Sequence, residues 1–481
     1  MQRIMTLNAT LKTPPGPAPA KNLLAILRFF RDFKEDLVGV MLDGFKTYGD
    51  VHQFEIGSDL QVQVAHPDHI QQVLVTQAAK FSKDGTYTDE ARGLARFLGA
   101  GLLTANGDFW KRQRKLMNPA FHHQRIQSYA DIMIRDTRDM LDSWARVLDH
   151  GDGHANFDID REMMHTTLKI VVEALFGTDI SDDADRIGWA VNVMQEFSGT
   201  PQVIPSWIPT PLELRVRRAI RMLDDIIYRM IASHRPDAEQ RTDLLSMLIT
   251  AETEDGERMT DKQIRDEIVT LFLAGHETTA NTLNWTWMAL AQNPDVEAKL
   301  HAELDTVLGG AAPTIADLKR LPYTEMVIKE SMRLYPPAFM VSRLALEDIE
   351  IGGFRVPKGA TVGVVSIVAH RDPRWWGEDA AAFRPERFAP ENEKSFPRYA
   401  YLPFGGGPRV CIGSMFAMME AQLMLAFVAQ NHTLRLLPGQ QVRFDAKITL
   451  RPRGGLPMRV SRRDQHPISA DQTLVTVPAG A

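Results

Sequence analysis

Residues 261–293 contain no proline and a single glycine, Gly275, and the run stops at Pro294. At about 1.5 Å per residue, a helix of that length crosses most of a domain of this size. Everything else must therefore be arranged around it. Most of the remaining chain also reads as helix. The segment Leu23–Tyr48 places apolar residues three and four apart, and His66-Pro67-Asp68 opens another helix. From Trp110 onward the pattern is overwhelmingly helical, broken at Gly151-Asp152-Gly153 and by prolines between Pro201 and Pro211. The β-like pieces are short. Residues 51–65 alternate around Gly57-Ser58 as a hairpin does, and further pieces lie at 349–356, 360–365 and 448–460. The expected fold class is mainly α with small β-sheets, without internal repeats.

A length of 481 residues allows two or three average domains, but single compact enzymes of this size are also common. A net charge of −6 provides no global basic field, so no nucleic-acid partner is expected. One cysteine excludes a disulfide framework and fits a reducing, cytoplasmic setting. Residues 1–20 hold no apolar run of signal-peptide or membrane-span length, so no transmembrane anchor is expected.

That cysteine, Cys411, lies in Phe404-Gly405-Gly406-Gly407-Pro408-Arg409-Val410-Cys411-Ile412-Gly413, just ahead of an apolar helical pattern. Backbone N–H groups opening the following helix favour a negative sulfur. Three consecutive glycines let main chain lie close to a flat cofactor and aim donors at the sulfur. Phe-x-x-Gly-x-Arg-x-Cys-x-Gly resembles the haem-binding signature of the cytochromes P450, the haem-thiolate monooxygenases. The resemblance covers residues 21–460, leaving 1–20 as a leader and 461–481 as a tail. It implies one domain with haem b held between the long central helix and the cysteine loop. It further implies that Cys411 is the iron ligand, that Phe404 packs over the sulfur, that Gly405 and Gly413 are cofactor-binding positions, and that Arg409 meets a haem propionate. Pro14-Pro15-Gly16-Pro17 is similar to the hinge that follows the anchor of microsomal members.

Within the long helix, Ala274-Gly275-His276-Glu277-Thr278-Thr279 sets a hydroxyl beside a carboxyl. A glycine in mid-helix costs roughly 1 kcal/mol against alanine, so Gly275 points to a close approach or a distortion. A Thr next to a Glu can pass protons from solvent to a reacting group. The segment resembles the family's oxygen-activation motif, which implies a proton relay through Glu277 and Thr278, with Ala274 and Gly275 over the haem face. His276-Glu277 also suggests zinc, but position 280 is Ala where a second His is needed. His276 is expected to point away from the iron.

Trp110 and Arg114, four apart, share a helix face and offer donors to a carboxylate; they resemble the family's propionate-binding pair, with Arg343 a further candidate. Glu330 and Arg333 are spaced to meet on one helix face, and with Arg387 they resemble a buried structural Glu–Arg–Arg cluster. Lys111, Arg112 and Lys115 lie elsewhere around the Trp110 helix and are read as a docking face for an acidic redox partner. No Gly-x-Gly-x-x-Gly dinucleotide motif is seen in a βαβ context, so electrons are expected from NAD(P)H through a ferredoxin or flavodoxin and its reductase. Pocket walls are expected from residues 83–99 and 197–211, from Ala338, Phe339 and Met340, and from Phe272. The expected activity is insertion of one oxygen atom from O2 into a small apolar, fatty-acid- or terpenoid-like substrate. The competing readings are a peroxide-driven peroxygenase, against which the intact Glu277-Thr278 pair argues, and a non-catalytic haem-thiolate sensor or carrier.

Overall fold

The computed structural model describes residues 11–18, 23–56, 59–178, 183–200, 204–252, 256, 258–392 and 394–463. Among these, the helices of three turns or more are α1 (Leu23–Tyr48), α2 (Gly107–Met117), α3 (Ala130–Asp149), α4 (Ile159–Phe176), α5 (Ala184–Ser198), α6 (Pro211–His234), α7 (Asp261–Gln292), α8 (Pro294–Leu308), α9 (Pro322–Leu334) and α10 (Ser414–Asn431). The strands are β1 (Val51–Ile56), β2 (Asp59–Val64), β3 (Phe81–Ser82), β4 (His154–Asp158), β5 (Val341–Ala345), β6 (Ile349–Ile351), β7 (Phe354–Val356), β8 (Thr361–Val364), β9 (His432–Leu436), β10 (Phe444–Ala446), β11 (Leu450–Pro452) and β12 (Pro457–Arg462).

The long proline-free run is the central helix. Thr260 caps α7 through a reciprocal pair of bonds with Gln263, and Pro294 begins the next helix directly after Asn293. Nearly every side chain of α7 from Ile264 to Leu290 is buried, as expected of a helix enclosed on all sides. Helices α4, α5, α6 and α10 surround it as one apolar core. A second apolar core backs the five-stranded sheet β1-β2-β8-β5-β3, in which β2 and β8 alone run parallel. Smaller sheets are β4-β12-β9 and the pairs β10-β11 and β6-β7. The fold is thus mainly α with small sheets.

Three local features differ from the sequence reading, and the hairpin turn is untested. Asp36 leaves helical geometry (φ −149°, ψ 70°) and its carboxylate accepts the N–H of Gly39 at 2.9 Å, so α1 is two helices joined at a kink. The turn of the β1–β2 hairpin, Gly57-Ser58, lies outside the described residues. Part of the expected leader is tied down: Lys12 bridges Phe354, and Gln53 N donates to Pro15 O at 2.8 Å. A side chain on Gly16 would collide with the Gln53 carbonyl, so this glycine permits the contact. At the other end β12 runs two residues past Val460 to Arg462, and the expected tail beyond Arg463 lies outside the described residues.

Candidate functional site

A cavity of about 490 Å³ separates α7 from the Cys411 loop. The loop leads into α10, with Gly413 as the residue before its first turn. Cys411 N donates to Phe404 O at 3.0 Å, closing the loop on itself. Gly405 (φ +71°) and Gly407 (φ +66°) take the left-handed conformation that favours glycine. At Gly407 a second demand applies, since an added Cβ would lie 1.8 Å from the Leu74 carbonyl oxygen. The close approach that this glycine permits is therefore to protein backbone. Gly405 would meet nothing within 4 Å and lies on the cavity wall. Cys411 is exposed and lines the cavity. Burial pushes its thiol up, opposed by the Gly413 N–H and the Arg114 guanidinium.

The opposite wall is one face of α7. Leu271, Ala274, Gly275, Thr278 and Thr282 reach the cavity at helical spacing. Gly275 has a packing reason as well, because a Cβ there would stand 2.6 Å from Val171 Cγ2 on α4. Phe272, expected in the pocket, is not on its wall. It is one residue out of phase, and its ring packs edge-on to Phe176 at 5.3 Å. His276 is buried away from the cavity with Nδ1 at the Phe272 carbonyl, and burial lowers its pKa to about 4.

Glu277 and Thr278 face different ways. Thr278 Oγ1 lies on the cavity side and donates to Ala274 O at 2.7 Å. The Glu277 carboxyl is fully buried behind the wall, accepting from Thr449 Oγ1 at 2.7 Å and from Gln195 Nε2. Burial raises its pKa, with Arg451, Thr449 and Gln195 opposing. The neutral acid, which can donate a proton, is the form that burial favours.

One end of the cavity is cationic. Lys83, Arg343, Arg409 and Arg114 all reach it, beside Trp110 and Tyr87. The Arg409 guanidinium lies 4.0 Å over the Trp110 ring and donates to Ala105 O and Asn106 Oδ1 at 2.8 and 3.1 Å. Lys83 Nζ stands 3.7 Å over the Tyr87 ring. Arg343 donates to Ser342 O at 2.8 Å, and Arg114 to Val410 O, inside the cysteine loop, at 3.0 Å. None of the four is in an ion pair among the described residues. Burial and mutual repulsion hold Lys83 well below the usual lysine range and bring Arg409 down to about 10. Asp84, also on the cavity wall, opposes the shifts of Lys83 and Arg343 but forms an ion pair with neither, and buried cations short of paired carboxylates are costly. Two carboxylates of a bound group would offset that cost, and haem b carries two propionates on one edge. Among the described residues no group of three His, Cys, Asp or Glu side chains could hold a bare metal ion. A single sulfur facing a broad apolar slot, with cations at one end, is a donor set that fits haem.

Further wall positions include Leu94, Leu102, Leu103, Leu175, Ala338, Phe339, Met340 and the Lys447–Thr449 turn. Of the two expected loops, residues 83–99 supply several wall positions. Among the described residues of the 197–211 stretch only Ser198 reaches the cavity, and Phe197 instead packs on Phe97 at 5.5 Å. Phe404 borders both this cavity and a smaller hollow of about 380 Å³ on the far side of the loop. Glu330, Arg333 and Arg387 do come together: Arg333 donates to both Glu330 oxygens at 2.7 and 2.8 Å, and Arg387 Nε stands 3.4 Å from Oε1. On the expected docking face, Lys111 is paired with Asp108 at 2.7 Å while Arg112 stacks on Phe109. The sequence reading missed Lys83 as a cavity cation, and also Leu102, Leu103 and Thr449. Nothing in their local pattern distinguishes them.

A family model described as Cytochrome P450 matches residues 14–456. Cyclooctatin synthase of Streptomyces melanosporofaciens is 37% identical over 409 residues, covering 84% of this chain and 86% of that protein. Cyclooctat-9-en-7-ol 5-monooxygenase of the same organism is 35% identical over 407 residues, 83% of this chain and 85% of its own. Pentalenene oxygenase of Streptomyces avermitilis is 33% identical over 426 residues, 88% and 92% of the two chains.

Proposed function

The chain belongs to the cytochrome P450 family, and from that premise we propose that it oxygenates a polycyclic, hydrocarbon-rich terpenoid with electrons delivered by separate proteins. It is a cytochrome P450 monooxygenase whose cofactor is haem b. The observation that carries the substrate reading is the cavity wall, whose exposed surface is mostly apolar, with several leucines, Val171, Ala338 and Phe339 on it. The relatives named as cyclooctatin synthase, cyclooctat-9-en-7-ol 5-monooxygenase and pentalenene oxygenase support a hydrocarbon-rich substrate.

Bound haem supplies the activation of O2 by two electrons, and thiolate ligation favours O–O cleavage. The residues of this chain do the rest. Cys411 would hold the iron, with the Gly413 N–H and Arg114 stabilising its negative sulfur. Lys83, Arg343, Arg409 and Trp110 would take the propionates. Arg114 would brace the cysteine loop through Val410 O. Ala274 and Gly275 would leave room for the haem beside α7, Thr278 presents a hydroxyl to the cavity, and burial favours the protonated form of Glu277 one residue away. The leucine and valine walls exclude water and hold an apolar skeleton by shape. A ferredoxin or flavodoxin would dock against the Arg112 side of α2.

The carbon monoxide spectrum of the dithionite-reduced protein tests the ligand. A strongly red-shifted Soret band is expected, and Cys411→His should abolish that shift. Spin-state titrations then test the class: polycyclic terpene hydrocarbons and alcohols should shift the ferric spectrum, and linear fatty acids should do so weakly. The reverse ranking would overturn the terpenoid reading.

A further inference from the structure

Thr449 joins the cavity wall to the buried acid on α7. It lies in the turn between β10 and β11, whose tip forms cavity wall. The same residue donates its hydroxyl hydrogen to Glu277 Oε1 at 2.7 Å. Glu277 is fully buried, and among the described residues no hydrogen bond links it to Thr278, whose hydrogen goes to Ala274 O. The neighbour in sequence is therefore not the hydroxyl in contact with the acid. The hydroxyl that touches it lies 172 residues away.

The arrangement is over-determined. Asn281 Nδ2 donates to Thr449 Oγ1 at 3.2 Å, so the hydroxyl's acceptor side is occupied and its hydrogen is directed at Glu277. Gln195 ties the same turn to the acid, donating to Glu277 Oε1 and accepting from Ile448 N at 3.2 Å. The other oxygen, Glu277 Oε2, is buried without a partner. Arg451, just beyond the turn, stands 4.0 Å from Oε1 and bonds outward to Asp160 and Asn192. A carboxyl held at one oxygen and free at the other takes its position from the group that holds it.

We propose that Thr449 is the positioning residue of the proton relay, the hydroxyl that sets where the Glu277 carboxyl points and connects it to the cavity. The proposal rests on the reading of Glu277 and Thr278 as the relay. It adds that a pocket-wall turn remote in sequence controls the acid, so changes at that turn alter proton delivery as well as substrate fit.

The test uses the full haem-loaded chain and isolates the hydroxyl. Thr449→Val keeps the shape and removes the hydrogen bond, while Thr449→Ser restores it; the carbon monoxide spectrum of each checks that the haem site is intact. Infrared difference spectra follow the Glu277 carboxyl, identified as the band missing in Glu277→Gln. In Thr449→Val that band should move to higher frequency with an altered titration midpoint, and in Thr449→Ser it should stay at the wild-type position. The second readout is the rate at which photoreduced protein reoxidises in air, in H2O and D2O. Thr449→Val should change that rate or its isotope effect by about fivefold or more, with Thr449→Ser near wild type. An unmoved infrared band in Thr449→Val overturns the proposal. So does a normal rate in Thr449→Val when Glu277→Gln and Thr278→Ala are both abnormal, an outcome that leaves the relay standing. If Glu277→Gln and Thr278→Ala are themselves normal, the relay reading fails, and the infrared arm still decides whether Thr449 positions the acid.

Discussion

Two clusters of charge in this molecule, one buried and one bordering the cavity, are built to opposite rules. Around Glu330 the cluster is nearly closed, with Arg387 Nε left without a hydrogen-bond partner. Arg333 uses its five N–H donors on the two Glu330 oxygens and on the carbonyls of His370, Ala380 and Ala382. Arg387 meets Glu330, Asp379 and two more carbonyls, and the Arg333 guanidinium lies 4.9 Å over Trp376. At the cavity end the cluster is open: Lys83, Arg343, Arg409 and Arg114 converge without a carboxylate in an ion pair. A network centred on its own carboxylate has little capacity left for a ligand, so its role is to hold the α9 region in place. An open one stores a preference for negative charge until something binds. What separates the two is the ion-paired carboxylate at the centre of one and missing from the other.

Breaking the closed cluster should have the largest effect. Glu330→Ala leaves Arg333 and Arg387 buried without their carboxylate, and a broken buried pair costs about 3–5 kcal/mol. Denaturant unfolding should show that loss together with reduced expression. A loss near zero would mean the cluster is not what holds this region.

The open cluster should respond in the opposite sense when no haem is present. Arg409→Leu and Lys83→Met each remove a repelling cation, so the apoprotein should unfold at equal or higher denaturant. Haem retention should drop by roughly the 1.5–3 kcal/mol of a charged hydrogen bond, about tenfold or more in the rate of haem transfer to an excess of apoglobin. A destabilised apoprotein with normal haem retention would reverse the assignment.

Glu267 is intermediate. One of its oxygens accepts Leu102 N at 2.9 Å, the other is buried without a partner, and burial raises its pKa to about 8. The unfolded chain loses this proton near pH 4.5 while the folded chain keeps it until about 8. Unfolding therefore releases a proton between those values, and stability falls as pH rises across that window, by at most about 1.4 kcal/mol for each pH unit. Glu267→Gln, which can still accept Leu102 N, should flatten the pH dependence of stability from about pH 5 to 8. An unchanged slope would show that another group titrates there.

The smallest effect is at the surface. Arg112→Glu should slow reduction by a ferredoxin severalfold at low salt and little at high salt, with the haem spectrum unchanged. Lys111→Glu should do less, since Asp108 already neutralises Lys111.

Much of this was legible in the sequence. The absence of proline over residues 261–293 marked α7, the Phe-to-Gly413 motif marked the cysteine loop, and the spacing of Glu330 and Arg333 marked their pair. Phe272 was misplaced because α7 is buried on every side, so its hydrophobic pattern has no face to point with. Lys83 and Thr449 were missed because a lysine after a short strand and a threonine in a hairpin turn look ordinary. Their surroundings come from Arg343 and Arg409 in the first case and from α7 in the second. Gly407 was assigned to the right loop for an incomplete reason, since the backbone it must clear belongs to Leu74.

The sequence by itself therefore determined the helical class, the central helix, the single thiol at the head of α10 and the acid–alcohol pair, because each is carried by residues near one another in the chain. Only the tertiary structure decided which face of α7 looks onto the cavity, which buried charges are satisfied, and which hydroxyl the acid touches. Those outcomes depend on groups that folding brings together from far apart in the chain, and neither hydrogen bonding nor desolvation is defined until that has happened.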